Sequence, residues 1–161
     1  MICSFPPVAN KDSSVLILGS IPGVTSLKEN QYYAHPYNQF WKIIYALFNV
    51  PLEPTYEKKM IFLLNHNIAL WDVIQKCDRL GSLDSKIQSP IPNNFNSFFA
   101  SHPKISVIFF NGSKAKETYT AFVGFNFKQI LSSFLLPSTS PTRTMPFNEK
   151  IVYWKEILHW I

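Results

Sequence analysis

The chain has 161 residues, 47% of them hydrophobic and 16% charged, and carries a net charge of +5 from 15 basic and 10 acidic side chains. That length buries a substantial core without disulfide or metal staples, and the balance of apolar and charged residues excludes a disordered tail. The longest apolar runs, over 15–18 and 107–110, are too short to span a bilayer.

The first fourteen residues, MICSFPPVANKDSS, carry neither the basic nor the apolar region of a secretory signal. A cytoplasmic protein with reduced thiols is therefore expected. Two cysteines, Cys3 and Cys77, cannot by themselves furnish a four-thiolate zinc or iron–sulfur site. The four histidines, His35, His66, His102 and His159, are spread without zinc-site spacing. No metal and no cofactor are expected. The positive excess lies toward the carboxyl half, with 8 basic against 4 acidic residues from Gly81 onward. Such an excess favours a polyanionic partner without specifying one.

Short apolar runs alternate with longer amphipathic ones. Residues 15–18 read as a fully buried strand, bounded by Asp12-Ser-Ser and by Gly19. Phe40, Trp41, Ile44, Leu47 and Phe48 recur at helical spacing over 38–49, and Pro51 stops that helix. A second helix over 56–66 is followed by a short strand over 68–71. A helix over 94–102 ends before Pro103, and the β-branched and aromatic run over 105–110 is the clearest strand. A helix over 113–123, a strand over 129–136 and a final helix from about Pro146 complete the reading. Continuous apolar strands separated by helices predict a parallel sheet covered on both faces, in a single domain over 1–161.

Ligands bind such sheets beyond the carboxyl ends of their strands. Gly19 and Gly23 follow the first strand, Asp72 the second, Asn111 and Gly112 the third, and Pro137-Ser-Thr-Ser-Pro141 the fourth. Gly19-Ser20-Ile21-Pro22-Gly23 permits close backbone approach and can present amides and carbonyls to a ligand, or it can simply make a tight turn. It has neither the P-loop nor the dinucleotide-binding pattern.

Six fragments in order, GSIPGVTSL, YYAHPYNQFW, ALWDV, GSLDS, FFNG and LPSTSP, resemble the DNA-deoxyinosine (hypoxanthine-DNA) glycosylases of the uracil-DNA glycosylase superfamily. More distantly, GSIPG and NQFW look like segments of the mismatch-specific uracil/thymine glycosylases. The resemblance implies a three-layer α/β/α sandwich around a four-stranded parallel sheet. It also implies a monomeric, monofunctional enzyme that hydrolyses the N-glycosidic bond of a deaminated base flipped from double-stranded DNA, hypoxanthine first. The absence of lysine from the first and last motifs agrees with a water-using mechanism and not with a Schiff base.

Such chemistry requires a held base, a positioned water and a stabilised leaving group. Relatives place a carboxylate or asparagine in the first motif, but here that loop holds Ser20, a lesser catalytic candidate, and no acidic residue occurs over 16–28. The resemblance therefore puts the water on Asn38, whose amide orients water better than it accepts a proton. Asn38 also stands where a helix N-cap would. Base contacts fall to Gly19, Ile21, Pro22, Gly23, to Tyr33 as a stacking ring and to Asn111 as a donor–acceptor edge. Core packing remains open for Tyr33, with Tyr32 and Tyr37 as aromatic neighbours, and a turn role for Asn111.

Ser138, Thr139, Ser140, Pro141 and Arg143 resemble the loop that enters the duplex, with Arg143 as wedge, phosphate contact or solvated side chain. Leu136 stands where efficient uracil glycosylases carry histidine, which implies greater dependence on leaving-group quality. Asp72 is a candidate to assist the water or the sugar cation, or else to orient a loop. Arg79 is a candidate phosphate contact, and Asp84 is expected to be structural. The alternatives are a mismatch-specific uracil/thymine glycosylase and a non-catalytic nucleic-acid or nucleotide-binding α/β module.

Overall fold

The computed structural model describes residues 1–161. In chain order its elements are β1 (Ile2–Cys3), β2 (Val15–Gly19), α1 (Val24–Glu29), α2 (Phe40–Leu47), α3 (Tyr56–Asn65), β3 (Ile68–Asp72), β4 (Ile74–Asp78), β5 (Gln88–Pro92), α4 (Phe95–Ser101), β6 (Val107–Asn111), α5 (Ser113–Phe122), β7 (Ser132–Leu136) and α6 (Phe147–Trp154). Two 3-10 turns, Asp84–Lys86 and Lys155–His159, follow β4 and α6.

The four expected strands form one parallel sheet in the order β3-β2-β6-β7. Alternate side chains of β2 serve two separate cores. Val15 and Ile17 join a cluster with α2, α3 and α6, whereas Leu16 and Leu18 pack with the phenylalanines of α4 and with Tyr119 of α5. That double burial explains why β2 and β3 lack polar alternation, and it gives the three-layer α/β/α sandwich. Complete burial of each Leu, Ile or Phe contributes roughly 1.5–3 kcal/mol before entropy is counted.

A second sheet escaped the periodicity. Strands β1, β4 and β5 pair antiparallel, in the order β1-β4-β5. β4 buries only Ile74 and Cys77 among polar neighbours, and β5 contains Pro90 and Pro92, tolerable because β5 is an edge. The Ile2↔Cys77 and Cys3↔Lys76 register puts the two thiols on opposite faces of the sheet, and both are free. Functionally, the β4–β5 connection carries the Gly81-Ser-Leu-Asp84 segment to the end of the main sheet. On the far side of β3, Val8 and Leu70 exchange two backbone bonds of 2.8 and 2.9 Å, which cover that edge. None of the helices is long and apolar enough to cross a membrane.

Candidate active site

The carboxyl ends of β2, β3 and β6 open on a cavity of about 350 Å³. This is the small end of the usual pocket range of about 300–1,000 Å³. At its floor Gly19 pairs in register with Asp72 across β2 and β3. A Cβ on Gly19 would stand 2.6 Å from Asp72 Oδ1 and 2.8 Å from the Tyr33 hydroxyl, so only glycine lets both groups come this close.

Asp72 is 4% exposed, and its Oδ2 has no hydrogen-bond partner. Burial, and secondly the Asp84 carboxylate, push its carboxyl up to about 7, while Arg79 pulls the other way. The stability linked to this group is fully present below its ordinary value of 3.8 and is lost as the pH rises through about 7. The Asn93 amide donates to the Asp72 backbone carbonyl at 2.7 Å and fixes the strand end.

Tyr33 is held in the left-handed region at φ +54° and stacks on Phe40 with ring centroids 4.1 Å apart. One ring face is thus used for packing, and the phenol is kept neutral by burial and then by Asp72. The other tyrosines separate clearly. Tyr32 is buried and donates to the Pro6 carbonyl at 2.9 Å, whereas Tyr37 is 76% exposed and lies outside this cavity.

Asn38 lines the cavity, and its Oδ1 accepts the Phe40 N–H at 2.9 Å. The same side chain therefore holds the first turn of α2 and keeps a second Oδ1 lone pair and its Nδ2 for a ligand. The helix itself begins at Phe40, two residues later than expected, because this side-chain bond organises the preceding turn.

Asn111, at the end of β6, is clamped by Thr139. Its Nδ2 donates to Thr139 Oγ1 at 3.0 Å, and its Oδ1 accepts the Thr139 N–H at 2.9 Å. Thr139 is wholly buried, and its carbonyl accepts the Gln39 N–H at 3.0 Å. The Trp154 indole N–H donates to the Pro137 carbonyl at 3.0 Å. Gly112, at φ +95°, admits this loop; a Cβ there would meet Ser138 Cβ at 3.1 Å.

The opposite wall is a second latch. Ser20 Oγ donates to Asp84 Oδ1 at 2.7 Å, and Ser82 Oγ accepts the Val24 N–H at 2.8 Å. Arg79 donates to the Pro22 carbonyl at 2.6 Å and to the Gly81 carbonyl at 2.7 Å. Its guanidinium braces the two loops, with Nε and one terminal nitrogen bonded inside the protein and the other terminal nitrogen buried without a partner. The function of this latch escaped sequence reasoning, although GSLDS is one of the fragments that carry the resemblance.

Ile21, Pro22 and Gly23 line the cavity, as do Ser138, Ser140 and Pro141. Its lining contains hydroxyls, amides, two carboxyl groups and one imidazole, but no lysine or arginine. Arg143 is exposed beyond the loop, and Lys150 is buried near it. Burial and then the charge of Arg143 lower the Lys150 amine below the usual lysine range. No three His, Cys, Asp or Glu side chains converge as a metal site.

The family model for the uracil DNA glycosylase superfamily matches residues 6–161. The chain belongs to that superfamily. As a superfamily member it is 37% identical over 137 residues to the hypoxanthine DNA glycosylase of Methanosarcina acetivorans, an alignment covering 84% of each chain. It is 35% identical over 132 residues to the hypoxanthine DNA glycosylase of Methanosarcina barkeri, covering 80% of this chain and 84% of that one. A solution NMR structure of a Methanosarcina acetivorans protein, provisionally assigned as a uracil DNA glycosylase, superposes with a TM-score of 0.82 at 33% identity. That superposition covers 98% of this chain and 96% of the other.

Proposed function

We propose that this superfamily member is a DNA glycosylase that excises a deaminated base, hypoxanthine foremost, from double-stranded DNA by a monofunctional hydrolysis. The carrying observation is the contrast between cavity and rim. A small cavity lined by neutral donors and acceptors and two acidic side chains suits an uncharged heterocycle and disfavours phosphate. Arg143 stands outside, beside the loop that meets the backbone. A phosphate placed there would meet two carboxyl groups and no lysine or arginine. The names of the two archaeal relatives support the same substrate class.

Asn111 supplies the base-reading edge. A backbone N–H can only donate, so Thr139 fixes which end of the amide is the oxygen. The remaining Nδ2 proton and Oδ1 lone pair match a ring N–H beside a carbonyl, as in hypoxanthine. Uracil and xanthine carry the same paired pattern and are expected as secondary substrates. Tyr33 offers its remaining face to the base, while Gly19 to Gly23 contribute backbone. Asn38 orients the attacking water toward C1′.

Incubation with duplexes bearing a single inosine, uracil or xanthine, followed by alkaline cleavage of abasic sites, tests this reading. Breaks chiefly at inosine are expected. Breaks chiefly at uracil would make the protein a uracil-type enzyme, and binding without breaks would overturn catalysis. Arg143→Glu is expected to weaken duplex binding and flatten its salt dependence, by about 0.9 in the slope of log affinity against log salt per phosphate lost. Binding titrations from low to physiological salt measure that slope; an unchanged slope removes Arg143 from the phosphate interface.

A further inference from the structure

We propose that Asp72 is the proton donor to the departing base, a role that rests on reading the cavity as a glycosylase pocket. Asp72 ends β3 at the cavity floor, nine-tenths or more buried, with Oδ2 unpartnered and Oδ1 against Gly19. A buried carboxyl without a partner is costly, and an ionised one more so. The one guanidinium near it bonds the Pro22 and Gly81 carbonyls and makes no hydrogen bond to Asp72. The arrangement thus favours the neutral carboxylic acid in a residue that lines the cavity proposed for the base.

The chemistry needs that proton. A purine is a poor leaving group as an anion and a far better one when a ring nitrogen is protonated. As the C1′–N9 bond breaks, its electron pair passes to the base, and the Asp72 O–H proton transfers to a ring nitrogen. Water oriented by Asn38 forms the new C1′–O bond and releases one proton to solvent, and Asp72 regains one from solvent. The balance is one water consumed, a neutral free base and an abasic sugar bearing a hydroxyl. Leu136 supplies no imidazole to stabilise an anionic base, so a proton from elsewhere fills the need.

The charged groups that face Asp72 are Asp84, from the 3-10 turn after β4, and Arg79, from the end of β4. The phenols of Tyr32 and Tyr33, from the loop before α2, and of Tyr56, from α3, are also coupled to it, and all three are shifted upward in the neutral direction. The acid form of Asp72 is the competent one, and its carboxyl is pushed up to about 7. Cleavage of inosine is therefore expected to hold steady below about pH 7 and to fall about tenfold per pH unit above it.

Asp72→Asn in the full chain keeps the shape and a hydrogen-bond donor but has no transferable proton. After thermal unfolding has shown that the variant folds, single-turnover cleavage of inosine at pH 6 should drop by about 10²–10⁴-fold, and the alkaline limb should vanish. A duplex carrying a 7-methylated purine, whose cationic base needs no added proton, should be cleaved equally by wild type and variant. An alkaline limb that persists in Asp72→Asn overturns the proposal, as does an equal loss on both substrates. The pH limb decides by itself where the methylated base is not accepted. Wild-type protein that cleaves no deaminated base would instead overturn the proposed function.

Discussion

Asn38→Ala is expected to abolish excision, lowering single-turnover cleavage of an inosine duplex by about 10³-fold while the fold survives. The substitution removes the cavity-facing amide and the acceptor for the Phe40 N–H together. The second loss costs about 1 kcal/mol, as for a lost helix cap, which is too little to unfold a protein of this size. Asn38→Asp separates the two roles. A carboxylate still accepts the Phe40 N–H, and it can also take a proton from the attacking water, so this variant should retain or exceed wild-type cleavage. Full activity in a folded Asn38→Ala protein would remove the water from this residue.

The next largest effect is expected at Gly19. A single added methyl would sit 2.6 Å from Asp72 Oδ1 and 2.8 Å from the Tyr33 hydroxyl, and neither can yield easily. Asp72 is fixed within the sheet, and Tyr33 is pinned between Phe40 and a left-handed backbone. Gly19→Ala should destabilise by about 1–3 kcal/mol through overpacking and should remove base excision altogether, because both displaced groups border the base. Gly23→Ala is the contrast, since its Cβ would meet Ser82 alone, at 3.3 Å from Oγ and 3.6 Å from Cβ, which calls for a shift of only a few tenths of an ångström. Melting curves and inosine cleavage for the two variants check this; similar behaviour of both would deny Gly19 its role at the floor.

The main sheet was legible because β2, β3 and β6 are buried on both faces, and a strand so placed has no choice but an unbroken apolar run. Its four strands were found in order, and the starts of helices α2 and α4 differ by a residue or two where Asn38 and Asn94 organise the preceding turns. The antiparallel sheet was hidden for the opposite reason. Ile74-Gln-Lys-Cys-Asp78 has two buried residues among polar ones, and β5 reads as a proline-rich loop until it pairs. At the site, the rim residues were legible from their position after strands and from the ordered fragments. The partnerships were not. Nothing in spacing couples Asn111 to Thr139, Ser20 to Asp84 or Arg79 to Pro22, because each pair is set by how two loops 28 or more residues apart converge. For Arg79 that convergence shows a bracing role between two loops that its place on the rim does not reveal.

The clamp on Thr139 has a further consequence for how DNA is chosen. Its amide, hydroxyl and carbonyl are all engaged, and Pro137 is tethered to Trp154, so the loop proposed to meet the duplex is preorganised. Under the proposed function little protein conformational entropy is then left to lose on docking, and the work of recognition is expected to fall on the duplex, which would have to unstack and rotate a nucleotide outward. Among sites carrying the same damaged base, the ranking therefore follows how loosely the helix holds that base: the weaker the pairing and stacking around it, the more often it reaches a cavity that is already shaped.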